Sequence, residues 1–347
     1  MRIILACDRS KGHLYPALAL ADYLRKEKPQ YKVFFYGLKK KDRFFLKERG
    51  FSSFGLDLNF RNLILESFLR FFEALGMIFY LRPHRVLGFG GRNSLFLVFI
   101  CSFFIPTFLF EPNFCLGKTN KLLSFFVRKV FLGMRNPKKK KEIKLGIPLR
   151  EEFLNKIDRK EARRILGIRD NLKIFLVFGG SLGSSFINTL FLEVVSLLKR
   201  DGYEFGVIHL TGDKDFEKVK RFYKENSIEA EIFSFYENMV LLYSAADLVI
   251  SRSGASSLAE ISYWGLPSIL LPYPGAYSHQ EKNAQFFFKN KAALGLKKGL
   301  SEKEALLCIL KEFLEEPQKF SSWGRNANSL KVWEEPAVFS QRVLEYI

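Results

Sequence analysis

One plan recurs in the two halves of this chain: an apolar strand, a short polar turn containing glycine, then an amphipathic helix. It is written first as RIILACDRSKGHLYPALALADYL, residues 2–24, and again as KIFLVFGGSLGSSFINTLFLEVVSLL, residues 173–198. A strand of unbroken apolar residues is one buried on both faces, and a helix directly after it carries the chain back to a parallel neighbour. Further strand candidates follow the same rhythm: KVFFYGL, RVLGFGG, TFLFEPN, EFGVIHLTG, EIFSF, ADLVISR and SILLPYP. Strands alternating with helical stretches of ten or more residues indicate parallel sheets with crossover helices. At 347 residues the chain is too long for one core and suits two domains. The expected fold class is α/β, two Rossmann-like doubly wound domains facing each other across a cleft. The first runs over residues 1–149 and takes back a C-terminal helix at about 333–347, set off by Pro336; the second is 150–332. In such sheets ligands bind at the carboxyl ends of the strands.

Charge is divided unevenly between these halves. The net charge is +19, but residues 1–149 hold 28 Lys/Arg against 10 Asp/Glu, while residues 150–347 hold 27 against 26. A basic half meets a polyanion: nucleic acid, an anionic membrane surface or a phosphorylated substrate. No nucleic-acid motif is recognisable. Four scattered cysteines (Cys7, Cys101, Cys115, Cys308) have no metal-ligand spacing, which speaks for a reducing compartment. The opening MRIILACD reads as strand and turn rather than a secretory signal. The longest uncharged run, residues 93–110, approaches the roughly 20 residues of a membrane span. Pro106 divides it and Glu111 ends it, so the expectation is a buried helix to about residue 104 and then a buried strand. The aromatic stretch 60–85 reads equally well as a core helix or as an interfacial helix with one apolar face.

The chemistry-bearing motifs sit where strands end. FGGSLGSS, residues 178–185, follows a strand and opens a helix, so backbone N–H groups and the helix N-terminus are available to an anion. A tight strand-to-helix turn has the same composition. SRSGASSLAE, residues 251–260, places Ser257 and Glu260 in the S-x-x-E spacing of a capping box. A carboxylate there can instead accept the hydroxyls of a ribose. Arg252 is positioned either to oppose a diphosphate or simply to meet solvent. His279, Gln280 and Asn283 cluster after a further strand.

Taken in order, these motifs resemble those of the MurG family, peptidoglycan N-acetylglucosaminyltransferases of the GT-B fold. GHLYPALALADYL resembles its first loop and helix, GFGGRNS its second glycine loop, EPNFCLGKTN its E-x-N…TN segment and GIPLR its hinge motif. GGSLGS, SRSGASSLAE and HQEKNA resemble the donor site. The resemblance implies that the second domain binds UDP-GlcNAc. Glu260 would hold the ribose, His279 and Gln280 the sugar, and Ser181 with Gly180 and Gly183 the diphosphate. Arg150 would reach the same phosphates, Asn113 would approach the donor, and Ser256 and Ser257 would line the phosphate turn. Arg252 belongs to the same donor motif.

On the acceptor side His13 is either a backbone-bonded helix-start residue or, as the resemblance implies, a general base for a sugar hydroxyl. Glu111 competes for that role. Lys11, Gly12, Gly90, Gly91, Arg92 and Asn120 would line the acceptor side. The implied reaction is inverting transfer of GlcNAc to the 4-hydroxyl of MurNAc in undecaprenyl-pyrophosphoryl-MurNAc-pentapeptide, lipid I to lipid II. It serves peptidoglycan synthesis, cell wall growth, shape and division. The place would be the cytoplasmic face of the cell membrane, with attachment peripheral. Absence of a DxD pair at a strand end implies no obligatory metal, and no cofactor is expected. The alternatives are a UDP-GlcNAc 2-epimerase or UDP-sugar hydrolase of the same fold, or a non-enzymatic basic membrane- or nucleic-acid-binding protein. This chain departs from the family in its first loop, where Asp8, Arg9 and Lys11 stand for glycines. Arg92 stands for a tyrosine, and Leu182 for a glutamine.

Overall fold

The computed structural model describes residues 1–8, 11–56, 63–180, 182–273, 279–297 and 299–347. Ser181 and Arg9 lie outside the described residues, as does the side chain of Lys11. The chain divides into two compact units, Met1–Glu151 with Trp333–Ile347, and Glu152–Val332.

The first unit is built on β1 (Arg2–Ala6), β2 (Lys32–Tyr36), β3 (Ser52–Phe54), β4 (Arg85–Gly88), β5 (Thr107–Glu111), β6 (Lys129–Leu132) and β7 (Glu142–Lys144). They form one sheet in the order β3-β2-β1-β4-β5-β6-β7, every neighbouring pair parallel. A short β8 (Ile147–Pro148) follows. The second unit carries β9 (Ile174–Phe178), β10 (Gly206–Leu210), β11 (Glu229–Phe233), β12 (Leu248–Ser251) and β13 (Ser268–Leu270), ordered β11-β10-β9-β12-β13 and again all parallel. The central strands are apolar through their middles, and β9 throughout: Ile3, Ile4, Leu5, Phe108, Leu109, Phe110 and the whole of β9 are buried. Each large apolar side chain so buried stabilises the fold by about 1.5–3 kcal/mol.

Both sheets have a point where strand order reverses, β1 beside β4 and β9 beside β12. Crossovers from such a pair leave to opposite faces and open a crevice at the strands' carboxyl ends. Register brings the ends level, Ala6 opposite Gly88 and Phe178 opposite Ser251. The turns that follow are therefore forced side by side.

The chain returns to the first unit through β14 (Trp333–Glu334), which pairs with β8, and the helix Pro336–Leu344. Phe339 of that helix meets Phe110 edge to face at 5.2 Å.

Two local expectations are corrected, and a third is resolved. Ser257 and Glu260 form no capping box, because the helix Ala255–Trp264 starts earlier, at Gly254, leaving Ser257 and Glu260 inside it. A capping box does occur at Ser301 and Glu304. The helix Leu95–Phe104 ends where expected, ahead of β5, but is only half buried. Its period turns Leu97, Val98 and Cys101 inward, whereas Phe104 is 84% exposed. The helix Leu63–Leu81 combines the two readings open to it: Ala74 and Leu81 are buried in the core with Met77 and Ile78 packed against it, whereas Ile64, Phe68, Phe72, Phe79 and Tyr80 point outward. No helix among the described residues is long and apolar enough to cross a membrane.

Candidate functional site

In the second unit the turn after β9 depends on glycine. Gly180 and Gly183 have φ of +100° and +75°, values that L side chains avoid. A Cβ on Gly183 would lie 2.0 Å from the Thr211 carbonyl oxygen, and one on Gly212 2.4 Å from that of Leu182. The turns after β9 and β10 thus cross backbone to backbone. Ser184 caps the helix Ser185–Arg200, its hydroxyl accepting from Ile187 N. Behind the cap, Asn188 donates to Thr211 O and Asp215 Oδ2, each at 2.9 Å. That leaves Asn188 Oδ1 to accept from His209 Nε2 at 3.1 Å, so His209 Nδ1 accepts from Tyr223 O–H at 2.8 Å. His209 is fully buried, and burial lowers its pKa from 6.5 to about 3. Sequence reasoning missed this network; its one visible signal was a histidine within the apolar strand GVIHL.

The turn after β12 is laced to its neighbours. Arg252 donates through Nη1 to the carbonyls of Leu271 at 2.8 Å and Pro272 at 3.0 Å, and through Nη2 to Ser184 Oγ at 2.9 Å. Its guanidinium also lies over the rings of Phe186 and Tyr273. The expectation of solvent exposure for Arg252 is therefore overturned: the residue is 7% exposed and ties together the turns after β9, β12 and β13. Ser253 Oγ donates to Gln280 O at 2.6 Å, and Asn283 Nδ2 to Ser253 O at 3.1 Å. Gln280 Oε1 accepts from Tyr273 N at 3.0 Å. His279 and Gln280 open the helix His279–Lys289. Ser256 and Ser257 lie in the first turn of the helix Ala255–Trp264, and on its second turn Glu260 accepts from Tyr243 O–H at 3.0 Å. Tyr243, missed in the sequence, is buried and stacked on Trp264.

In the first unit the turns after β1, β4 and β5 converge. Gly90 has φ +96°, and a Cβ on it would sit 3.2 Å from Asn120 Nδ2 and 3.5 Å from His13 Nε2. His13, Asn120 and the Gly90 backbone are thus brought together; Gly12 precedes His13 on the helix Lys11–Glu27. Glu111 is buried and accepts from Asn113 N and Nδ2, Gly117 N and Asn120 Nδ2, at 2.8–3.1 Å. A carboxylate so occupied organises its loop and has little capacity left to receive a substrate proton. Gly91 has φ +88°, and a Cβ there would fall 2.1 Å from Asp8 Oδ2. Arg92 N donates to that same Asp8 oxygen at 2.8 Å. Arg150 belongs to the first unit, where its guanidinium lies 5.3 Å over the Tyr15 ring.

The chain is similar to known proteins over nearly its whole length. Residues 3–132 match the glycosyltransferase family 28 N-terminal domain, and residues 174–334 match the family's C-terminal domain. A Halothermothrix orenii protein named UDP-N-acetylglucosamine–N-acetylmuramyl-(pentapeptide) pyrophosphoryl-undecaprenol N-acetylglucosamine transferase is 31% identical over 359 residues, covering 96% of each chain. The Aquifex aeolicus protein of the same name is 34% identical over 322 residues, covering 89% of this chain and 91% of its own. Among solved structures, Acinetobacter baumannii MurG superposes with a TM-score of 0.78 at 22% identity, over 99% of this chain and 98% of its own. The two-domain α/β fold is of the GT-B type.

Proposed function

The chain belongs to glycosyltransferase family 28 and is a hexosyltransferase that moves N-acetylglucosamine from UDP-N-acetylglucosamine to lipid-linked N-acetylmuramyl-pentapeptide; we propose how its residues divide that work. The donor is held by the second unit. The observation that carries this reading is the lacing of the turns after β9, β12 and β13 around Arg252, Ser253 and Ser184. It leaves the N-termini of the helices Ser185–Arg200 and Ala255–Trp264 at the sheet's reversal point. Those N-termini receive the diphosphate and stabilise it as it leaves, with Gly180, Ser181 and Gly183 at one and Ser256 and Ser257 at the other. Glu260, oriented from behind by Tyr243, accepts the ribose hydroxyls. His279 and Gln280 face the sugar. Arg252 acts through the loops it ties rather than through the phosphates.

The acceptor is held by the first unit at Gly12, Gly90, Gly91 and Asn120, with Lys11 at the helix start and Arg92 holding the turn from its side through Glu66 and Asp8. His13 takes the proton of the attacking 4-hydroxyl, and in-line attack on C1 of the sugar expels UDP. Glu111 holds the loop that carries Asn113 and Asn120. Labelled N-acetylglucosamine offered with a short-chain acceptor analogue tests this assignment. His13→Ala should lower kcat by about 10²–10⁴-fold, the usual range for a general base, with donor affinity nearly unchanged. A His13→Ala enzyme within a few-fold of wild type would remove His13 from the chemistry. Rapid UDP release without any acceptor would favour an epimerase or hydrolase activity.

The membrane reading rests on the aromatic surface of the first unit. Phe71 of the helix Leu63–Leu81 meets Phe96, and Phe99 meets Phe103 and Phe126, across three neighbouring segments. Lys139, in a run of four lysines, lies over the exposed Phe125 ring. An exposed apolar face rimmed by lysine fits an anionic lipid surface, where each cation contributes about 1 kcal/mol. Peripheral attachment to the cytoplasmic membrane face follows from this reading, since the acceptor is lipid-linked.

A further inference from the structure

The helix Leu63–Leu81 sets charge into its inner face and aromatic rings on its outer one. Its outward face carries Phe68, Phe72 and Phe79, while Glu66 and Arg70 are buried beside the core residue Ala74 and Glu73, three further on, keeps its carboxylate side chain largely covered. Arg70 pairs with Glu66 at 3.0 Å and with Glu73 at 3.9 Å. Burial alone would raise the Glu66 pKa, but hydrogen bonds and charge from Arg70 and Arg92 hold it below the ordinary value. A buried ion pair is a poor source of stability, because desolvation offsets most of the attraction. What it provides is a defined register. The buried stripe reaches two strand-end loops: Glu73 accepts from Leu56 N after β3, and Glu66 accepts from Arg92 Nη2 at 2.8 Å after β4. Arg92 N in turn is held by Asp8 after β1. Two positions at which this chain departs from its family's pattern, Asp8 and Arg92, are therefore bonded to each other. Together they connect the exposed aromatic helix to the turns beside His13.

We propose that Glu66 and Arg92 are positioning residues that transmit the seating of the helix Leu63–Leu81 on a lipid surface to the acceptor-binding turn, so that acceptor is captured more tightly by the seated enzyme. This rests on the membrane reading above. Glu66 is rigidly attached to the helix, and Arg92 is the first residue after the two positive-φ glycines of the acceptor turn. A small rotation of the helix on its lipid face therefore moves the turn directly. Because Asp8 holds Arg92 by its backbone, the turns after β1 and β4 move as one.

The full-length protein is tested with a water-soluble acceptor analogue, with and without vesicles of phosphatidylcholine and phosphatidylglycerol. Vesicle sedimentation is measured in parallel. For wild type, vesicles should lower the acceptor KM by about 5-fold or more, the lower end of site-to-site coupling, with donor KM unchanged. Arg92→Gln should sediment equally but lose the vesicle effect, and Arg92→Lys should regain part of it. The Arg92 side chain is 55% exposed, so its replacement leaves the buried Glu66–Arg70 pair intact and does not test folding. Glu66→Gln should match Arg92→Gln. An equal vesicle effect in wild type and Arg92→Gln overturns the inference, as does sedimentation without any change in wild-type KM. Failure of the wild type to sediment with anionic vesicles overturns the membrane reading and this inference together.

Discussion

The turn after β9, proposed for the donor, and the turns after β1 and β4, proposed for the acceptor, occupy equivalent places in their sheets, yet they are held by different physics. The donor turn is fixed by steric exclusion at the Gly183–Thr211 crossing and by the buried, neutral Asn188–His209–Tyr223 chain behind it, with charge entering only at its edges through Asp215 and Arg252. The acceptor turns are fixed largely by charge, through Asp8, Arg92, Glu66 and Arg70. A buried neutral network keeps one geometry regardless of salt. A half-exposed ion pair contributes little stability and weakens as salt rises, which lets it shift. The rigid turn suits a small nucleotide sugar of constant shape, and the compliant one an acceptor presented from a lipid.

The comparison breaks first at Gly183. Gly183→Ala forces a Cβ into the Thr211 carbonyl at a positive φ, so stability should fall by about 3 kcal/mol or more, read by urea unfolding. Gly180→Ala is the control, since nothing lies within 4 Å of its added Cβ and only backbone strain of about 1–2 kcal/mol remains. Equal losses in the two would mean that the interlock does not hold the turn.

Next comes Glu260, a carboxylate on the donor side that accepts a hydrogen bond from the neutral Tyr243 hydroxyl. Glu260→Gln keeps the size and the Tyr243 contact, but should weaken UDP-GlcNAc binding by about 1.5–3 kcal/mol, measured calorimetrically. Acceptor KM should not change. Unaltered donor affinity would restrict Glu260 to a structural partner of Tyr243.

Near neutral pH the smallest expected effect is acid response, and it grows as pH falls. His209 is neutral in the fold with its pKa near 3, whereas in the unfolded chain it titrates at its ordinary 6.5. The unfolded chain therefore binds the proton first. Stability is full above pH 6.5 and falls as pH drops toward 3, by about 2 kcal/mol at pH 5. Hydrogen exchange should show the second unit loosening over this range ahead of the first. His209→Gln should flatten the dependence; a slope identical to wild type would place the acid response elsewhere.

The fold class was legible because two unbroken apolar strands, each followed by a glycine turn and a helix, permit little besides parallel α/β units. The turn positions were legible for the same reason, since positive φ and close backbone approach select glycine locally. Residue roles were less so. Arg252 read either as a partner for a diphosphate or as an exposed arginine, and only packing of the neighbouring strand ends turned its guanidinium onto the carbonyls of Leu271 and Pro272. The S-x-x-E spacing at Ser257 looked like a cap, but capping depends on where backbone dihedrals become helical, and that occurs at Ala255, just after the extended Gly254. The sequence by itself determined the strands, the glycine turns and the uneven charge, all of which follow from short-range sterics and composition. Only the tertiary structure decided that Glu66 would reach Arg92, that His209 would sit behind the donor turn and that the helix Leu63–Leu81 would turn its phenylalanines outward. Those outcomes depend on which distant segments share a sheet edge, and nothing in local spacing encodes that distance.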